Sequence, residues 1–269
     1  LKDFSWEISA GLGHYKNEVT ALPDGDKPVY TSLYGGEVVT QVGGPVGLFY
    51  GYKTQGVFST SEDAAFAGLR DGRADGDVFR GGDMHFADLV ADGVIDEKDK
   101  TVIGDPNPDI FGNFGTSLHY KNWTLNAFFS YSLGNDIYNY QRAVLEGGST
   151  YYNQTTAVLN RWTSEGQVTE IPRAELGDPM GNSRFSDRWI EDGSYLKLKT
   201  LSLSYRIPFN YTFLQGITVW AAANNVFTCT KYLGSDPELS ISSSAVGQGI
   251  DRGLLGRGRS FVLGVKINL

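Results

Sequence analysis

The residues best suited to chemistry in this sequence are carboxylates in an acidic segment between positions 88 and 99. Oxygen ligands spaced along a loop of about 12 residues are a common way for proteins to bind calcium. The candidate ligands fall at positions 1, 5, 7, 9 and 12 of such a loop and are Asp88, Asp92, Val94 (through its carbonyl), Asp96 and Asp99. Gly93, at position 6, permits the sharp turn that lets these oxygens converge.

Two departures from the usual calcium loop leave metal binding open. Val90 removes a side-chain ligand at position 3, and Asp99 is shorter than the glutamate that usually closes such a loop. The sequence therefore allows two interpretations. One is a calcium ion that stiffens the loop without taking part in catalysis, and the other is an acidic, solvated turn without metal.

The other reactive residues do not form a catalytic pattern. His14, His85 and His119 lack the spacing of metal ligands, and nucleophilic catalysis would need a histidine and an orienting acid beside a Ser or Cys. Cys229, the only cysteine, is expected to be a small packing residue. A glycoside hydrolase needs two carboxylates flanking a cleft, and the many aspartates allow this without any motif that supports it. The sequence therefore predicts a protein that is not an enzyme.

Composition narrows the class of protein further. A net charge of −8 without a basic run argues against nucleic acid as a partner. A single cysteine excludes a disulfide framework within the chain. The sequence has no apolar run of about 18 residues, so an ordinary transmembrane helix is not expected. The 15 Tyr, 15 Phe, 5 Trp and 34 Gly favour β-structure with many turns, and the aromatic residues also suit the girdles of a membrane barrel.

Strict alternation of apolar and polar residues predicts long strands. Phe4, Trp6, Ile8 and Leu12 alternate with small or polar residues over about ten positions, the length of a tilted strand that crosses a bilayer. Similar segments lie at 110–120, 123–132, 201–206, 217–226 and 260–269. Leu196 and Leu198 have the opposite parity to Leu201, which predicts a bulge near residue 200 or a first part that lies above the membrane.

The connections between these segments alternate in length. Those at 121–122 and 207–216 are short, whereas those at 20–108, 133–194 and 227–256 are long. Outer-membrane barrels have short periplasmic turns and long external loops. The pattern therefore predicts external long loops and a periplasmic C-terminus. A soluble β-sandwich also has alternating strands, but connections of this length are unusual in a compact soluble domain.

Four segments resemble motifs of one transporter family. Residues 43–58 are similar to P-x-G-x-F-Y-G-Y-x-x-x-G-I/V-F, and residues 82–108 to G-D-x-x-F-x-D-x-N-G-D-G-x-I-D-x-x-D followed by I-G-x-P-x-P. Residues 186–199 resemble S-D-R-W-I-E-D-G-S-Y-L-R-L-K, and residues 225–238 resemble N-L-F-T-x-T-K-Y followed by D-P-E. The motifs stand in the order found in the SusC/RagA family of TonB-dependent outer-membrane transporters, so the chain resembles the C-terminal barrel portion of that family.

This resemblance implies an all-β fold: the C-terminal strands of a large antiparallel transmembrane β-barrel with long extracellular loops. Barrels of this class have about 22 strands around a plugged lumen. Residues 1–269 would then form one partial barrel domain, with the plug and the N-terminal strands outside this sequence. Leu269 stands where the family usually ends on an aromatic residue, and Val90 where its acidic loop usually has Asn.

The resemblance also implies a function and partners. The whole transporter would sit among the lipids of the cell outer membrane and import glycan or peptide fragments. A SusD-like surface lipoprotein would capture the substrate, and the TonB complex would supply energy through the plug. The inward polar residues would line the lumen and include Asn113, His119, Asn126 and Ser130. The alternative hypothesis is a secreted, calcium-stiffened, β-rich binding or adhesion module, which solubility without detergent would distinguish.

One long connection carries a further candidate surface. Arg161-Trp162 and Ile171-Pro-Arg173 lie in the connection at 133–194. Trp and Arg are frequent in surfaces that bind a substrate or a partner protein. They also commonly anchor a loop by packing, and packing against the barrel wall is the favoured interpretation here.

Overall fold

A computed structural model describes residues 3–73, 77–208 and 216–268 of the chain. Within these ranges, the strands are β1 (Phe4–Gly13), β2 (Val29–Leu33), β3 (Gly36–Thr40), β4 (Leu48–Tyr52), β5 (Thr54–Val57), β6 (Arg70–Asp71), β7 (Met84–Phe86), β8 (Val94–Ile95), β9 (Lys100–Gly104), β10 (Ile110–Tyr120), β11 (Trp123–Leu133), β12 (Asp136–Asn139), β13 (Ile190–Asp192), β14 (Tyr195–Ile207), β15 (Gly216–Thr230), β16 (Ile250–Asp251) and β17 (Ser260–Asn268). The helices are α1 (Pro23–Asp26), α2 (Ser61–Ala67) and α3 (Tyr140–Glu146). Short 3-10 helices lie at Glu97–Asp99, Thr156–Asn160, Asp187–Trp189 and Ala245–Gly247.

Six long strands form one antiparallel sheet in the order β1-β10-β11-β14-β15-β17. Strands β10 and β11 are joined by a tight turn in which Lys121 has a positive φ of 52°. The three long connections all leave the sheet at its opposite end, as the sequence predicts. The predicted short connection at 207–216 falls mostly on residues 209–215, outside the described residues. The last predicted strand position, Leu269, also lies outside them.

The register of this sheet separates its side chains into an apolar and a polar face. Phe4 pairs with Tyr120, which pairs with Trp123, and Trp123 pairs with Tyr205. These four aromatic residues therefore share one face at the short-turn end, in the position of an interfacial girdle. The same face is exposed farther along the sheet: Phe261 is 81% and Leu263 is 84% exposed. The alternation that predicts the strands thus produces the expected two-faced sheet.

A bulge in β14 resolves the change of parity that the sequence shows. Leu198 pairs with Phe129 and Thr200 with Phe128, so Lys199 is an extra residue between two consecutive pairs. The insertion keeps Leu198 and Leu201 on the apolar face although their numbers differ in parity. The predicted bulge near residue 200 is confirmed.

The long connections pack together into what we call the loop unit: residues 14–109, 134–194 and 231–259 within the described ranges. It contains the shorter strands, in one four-stranded, one three-stranded and two two-stranded sheets among the described residues. The three-stranded sheet joins two connections, because β12 pairs with β13 and also, in parallel, with β16. The loop unit is therefore a folded layer over one end of the large sheet.

Nearly all of the buried apolar side chains belong to this loop unit. One buried cluster contains Tyr52, Phe58, Ala64, Leu69, Phe79, Met84, Phe86, Ile95 and Met180. A second contains Val38, Phe49, Tyr138, Trp189 and Ile250, drawn from all three connections. Leu198 is an exception on the large sheet, at 6% exposed. The core of the chain thus sits in its loops and fixes their mutual positions.

Capping residues place the two longer helices inside the loop unit. The Thr60 side chain accepts a hydrogen bond from the Asp63 amide at the start of α2, and Gly68 ends that helix with a left-handed φ of 68°. The Asn139 side chain caps α3 by accepting from the Arg142 amide. Within the described residues, no helix combines the length and the apolar character needed to cross a bilayer.

Candidate functional site

The polar face of the large sheet brings the predicted lumen-lining residues together. Asn113 pairs with Ser130, and Asn126 pairs with Ser117 on the same face. His119 also lies there, opposite Thr124. All four predicted side chains, Asn113, His119, Asn126 and Ser130, therefore share the face opposite the apolar one.

Hydrogen bonds order this polar face without building a catalytic group. The ring nitrogens of His119 lie 3.0 Å from Ser117 Oγ and 2.9 Å from Thr124 Oγ1. Asn126 Nδ2 donates to Ser202 Oγ at 3.3 Å. A shallow cleft of about 330 Å³ lies on this face and is lined in part by Glu7, Asn126 and Phe128. Hydroxyl and amide groups around the exposed Phe128 ring can bind a sugar or a peptide backbone.

A buried ionic cluster fastens the third long connection to the sheet at the edge of the polar face. Lys197 is 2% exposed, and its Nζ donates to Asp236 at 2.6 Å and to Glu238 at 2.9 Å. Lys199, the bulge residue, also donates to Glu238. Ser130 Oγ donates to the same carboxylate at 3.3 Å. We call Lys197, Lys199, Asp236 and Glu238 the rim cluster.

The electrostatics of the rim cluster are balanced. Burial alone would raise the pKa of Glu238, but hydrogen bonds from Lys199 and Lys197 outweigh it, so the pKa lies below its ordinary value. Two ammonium groups face two carboxylates, which is the condition under which buried charges are tolerated. The sequence shows these residues within two of the family-like motifs but gives no sign that they meet, because the two segments are about 40 positions apart.

The predicted calcium loop is folded around hydrogen bonds from its own backbone. Asp88 accepts from the amides of Ala91 at 2.7 Å and Gly93 at 2.8 Å. Asp99, which is buried, accepts from the amides of Leu89 at 2.9 Å and Asp96 at 2.9 Å. These two carboxylates, at the ends of the predicted loop, therefore hold its turns in place.

A lysine contacts the middle carboxylates of the same loop. Lys98 Nζ lies 3.3 Å from Asp92 and 3.2 Å from Asp96. A backbone hydrogen bond from Lys98 is the main reason that the pKa of Asp96 lies below its ordinary value. Val94 lies in β8, which pairs with β6. Among the described residues, no three acidic, His or Cys side chains converge as a metal site would require, and calcium binding stays a prediction.

The arginine and tryptophan residues of the second connection pack inside the loop unit. Trp162 Nε1 donates to the Ser59 carbonyl at 2.9 Å. Arg173 Nε donates to the buried carboxylate of Asp83 at 2.7 Å. Both partners belong to the first long connection, so these residues bind one loop to another. The prediction that they pack is confirmed for Trp162 and Arg173, but their contacts are with a neighbouring loop and not with the barrel wall.

A second buried charge network was not visible in the sequence. The Asp71 side chain is fully buried, and its carboxylate forms ion pairs with Arg73 at 2.9 Å and with Arg184 at 3.1 Å. Burial would raise the pKa of Asp71, but the two arginines lower it below its ordinary value. The Arg184 guanidinium also lies 4.4 Å from the Phe86 ring and 5.0 Å from the Tyr52 ring. The network anchors the segment that precedes β13 onto the core of the first connection.

Taken together, the fold and these contacts define a class of protein. Long antiparallel strands with an exposed apolar face, a polar opposite face and long connections at one end are the features of a transmembrane barrel wall. The described part of the chain supplies one sector of such a wall and a folded layer of external loops.

Comparison with curated sequences gives the family. TonB-dependent receptor P3 of Formosa agariphila is 34% identical over 281 residues, which cover 99% of this chain and 27% of that protein. TonB-dependent receptor SusC of Bacteroides thetaiotaomicron is 26% identical and is matched over 99% of this chain and 24% of that protein. No protein-family model matches the sequence.

Solved structures give the same fold. A structure of the RagAB peptide importer in an open-open state superposes with a TM-score of 0.77 at 22% identity, over 100% of this chain and 27% of that chain. A structure of the RagAB peptide transporter gives a TM-score of 0.78 at 24% identity, over 99% of this chain and 27% of that chain. The chain is thus a SusC/RagA-like segment of the TonB-dependent receptors, and it spans about a quarter of the length of these relatives.

Proposed function

We propose that the chain belongs to an outer-membrane receptor that imports nutrients and that its six long strands form part of the channel wall. The observation that carries this proposal is the two-faced sheet, which has exposed apolar side chains on one side and hydroxyl and amide groups on the other. Such a sheet fits between lipid and an aqueous lumen. The relatives are named as receptors and importers, which supports transport over catalysis.

The exposed apolar face speaks against the secreted binding module. Phe261, Leu263 and Trp6 are 81%, 84% and 60% exposed, and neighbouring strands continue the same surface. Full burial of one such side chain is worth about 1.5–3 kcal/mol, so a soluble protein with this face open to water would aggregate. Contact with lipid chains removes this unfavourable exposure.

We assign the partners by the same reasoning. The name of the relatives states dependence on TonB, and we propose that energy reaches this protein from the TonB complex through a plug in the rest of the receptor. A SusD-like surface lipoprotein would cover the loop unit. Its surface carries very exposed apolar side chains that suit such a contact, namely Phe66, Tyr151, Val168 and Leu255.

The substrate class is a glycan or peptide fragment. The polar face offers serine, threonine, asparagine and histidine side chains, which can hydrogen-bond to either. Oligosaccharides and peptides that are too large for open diffusion are the substrates for which an energised, partner-assisted importer is useful. The test is accumulation of labelled fragments by cells with and without the gene.

The first experiment is fractionation of native cells, followed by intact mass and peptide mapping. The proposal predicts that peptides of this chain occur in a detergent-extracted outer-membrane polypeptide several times larger than 29.4 kDa, together with a lipoprotein. A stable, detergent-free species of 29.4 kDa would contradict the proposal and would favour the secreted module.

A further inference from the structure

Arg188 is a partly buried arginine whose guanidinium has hydrogen-bonding capacity that is largely unused. It stands in the Ser186–Trp189 segment of a family-like motif, where Asp187 accepts from Thr54 and Trp189 fills the core. Within the described ranges, the Arg188 group makes one hydrogen bond, from Nη2 to the Glu146 carbonyl at 3.3 Å, and it lies 4.2 Å from the Trp189 ring. Its Nη1 is buried and has no hydrogen-bond partner among the described residues.

The charges around Arg188 do not neutralise it directly. The nearby Arg142 is satisfied by two carboxylates, Glu146 at 3.0 Å and Glu191 at 2.8 Å. Within the described part of the chain, no carboxylate oxygen lies within 4.0 Å of the Arg188 nitrogens. Burial, and then the positive charge of Arg142, lower the pKa of Arg188 to about 10, so the group remains charged at neutral pH. A partly buried charge without an ion-pair partner is unfavourable, and a bound anion would relieve that cost.

A cleft of about 410 Å³ opens beside this guanidinium, between the first, second and third long connections. Its polar wall contains Arg188, Arg142 and Glu146. Glu170, which is exposed, also lines the cleft. The rest of the wall is mainly apolar and includes Met84 and Ile171. A carboxylate is the anion that matches a planar guanidinium with two parallel hydrogen bonds, and an aliphatic group next to it would occupy the apolar wall.

We propose that this cleft binds a carboxylate that carries an aliphatic group beside it, as at the C-terminal end of a peptide, with Arg188 as the anion-binding residue. Glu170 weakens the binding of anions, since its negative charge lines the same cleft. The inference relies on the proposed function only for the position of the loop unit outside the membrane. The binding step needs no transport, so it is measured separately from import.

The test is isothermal titration calorimetry on the purified full-length receptor with the dipeptide Ala-Leu and with its C-terminal amide. We expect the free acid to bind at least tenfold more tightly than the amide, and glucuronate, which lacks the aliphatic group, to bind more weakly than Ala-Leu. Equal affinity for the acid and the amide would overturn the proposal. Tighter binding of glucuronate would overturn the peptide-end assignment and indicate sugar acids as ligands.

Two variants locate the binding in this cleft. Arg188→Gln is expected to weaken Ala-Leu binding at least tenfold, whereas Arg161→Gln, an arginine of the same connection outside the cleft wall, leaves the affinity unchanged. Binding that Arg188→Gln does not alter would lie elsewhere in the receptor and would contradict the assignment. If Arg188→Gln fails to fold, Glu170→Gln provides the second test. The exposed Glu170 side chain can be changed safely, and tighter binding is expected because a like charge is removed.

Discussion

At the scale of single residues, the rim cluster links the loop unit to the barrel wall. Lys197 and Lys199 come from β14, and Asp236 and Glu238 come from the third long connection. A buried ion pair adds little net stability compared with an apolar pair, but removal of one partner leaves a costly unpaired charge. The cluster therefore specifies where the loop is held more than it stabilises the whole fold.

Replacement of Lys197 by methionine should loosen the third connection. Asp236 and Glu238 would lose their buried ammonium partner, and breaking a buried pair in this way costs about 3–5 kcal/mol. We expect faster hydrogen exchange in residues 231–249 of the full-length receptor. Lys98→Met is the matched control, because its exposed ion pairs are worth about 0–1 kcal/mol. Unchanged exchange in Lys197→Met would show that other contacts hold the connection.

The low pKa of Glu238 predicts how this connection responds to acid. The pKa in the folded protein lies below the value of about 4.3 for an unperturbed glutamate, so the ion pairs stabilise the folded connection above that pH. The contribution is lost as the pH falls through the lowered pKa. Hydrogen exchange in residues 231–249, corrected for its intrinsic pH dependence, should therefore show increased opening below about pH 4. A Glu238→Gln receptor that retained the same acid dependence would disprove this origin.

Calcium binding by the acidic loop at 88–99 can be tested in the same way. Lys98 forms ion pairs with Asp92 and Asp96, so its ammonium would compete with a calcium ion for the same carboxylates. Calcium should slow hydrogen exchange in residues 88–99, and Lys98→Gln should strengthen this effect by removing the competing charge. Exchange that is identical with calcium and with a chelator, in both proteins, would mean that the loop is a metal-free turn.

At the scale of elements, the sequence predicts the long strands well and the short ones poorly. Alternation identifies the six long strands and the bulge at Lys199, since one face meets an apolar environment and the other a polar one. The short strands carry no such pattern. The Ile137, Tyr138 and Asn139 side chains of β12 are all buried, because both faces of that strand are covered. Contacts across the sequence, such as Arg173 with Asp83, have no local signal.

The bulge offers a direct test at this scale. Deletion of Lys199 would place Leu198 directly before Thr200 and would restore regular alternation opposite Phe129 and Phe128. Both faces of β14 would be kept, because Lys199 is the one extra residue that interrupts the pairing. We expect the deletion variant to assemble, measured by its heat-dependent mobility on a gel.

Lys199→Ala serves as the control for that deletion. It removes one ion pair of Glu238 but keeps the extra residue and hence the register. This variant should assemble normally. A deletion variant that failed to assemble, while Lys199→Ala assembled, would contradict the assignment of Lys199 as an extra residue outside the β11–β14 pairing.

At the scale of the whole molecule, the large sheet and the loop unit differ in how many of their side chains are buried. The large sheet has few buried side chains of its own, whereas the loop unit contains both buried clusters and most of the buried ionic contacts. The length and alternation of its strands allow the large sheet to be predicted from sequence. The loop unit and the Arg188 cleft are formed by contacts between segments that are far apart in the sequence. Neither of these two features could therefore be predicted.

The measurement that tests the central claim most directly is cysteine labelling of the full-length receptor in intact cells, in a Cys229→Ser background. Asn160→Cys places a thiol on the exposed surface of the loop unit, and Asp3→Cys places one beside the short turn at Lys121. The account predicts that a membrane-impermeant maleimide labels Asn160→Cys on intact cells and labels Asp3→Cys only after the outer membrane is opened. Labelling of both positions on intact cells, or of Asp3→Cys alone, would contradict a barrel wall with its long connections outside.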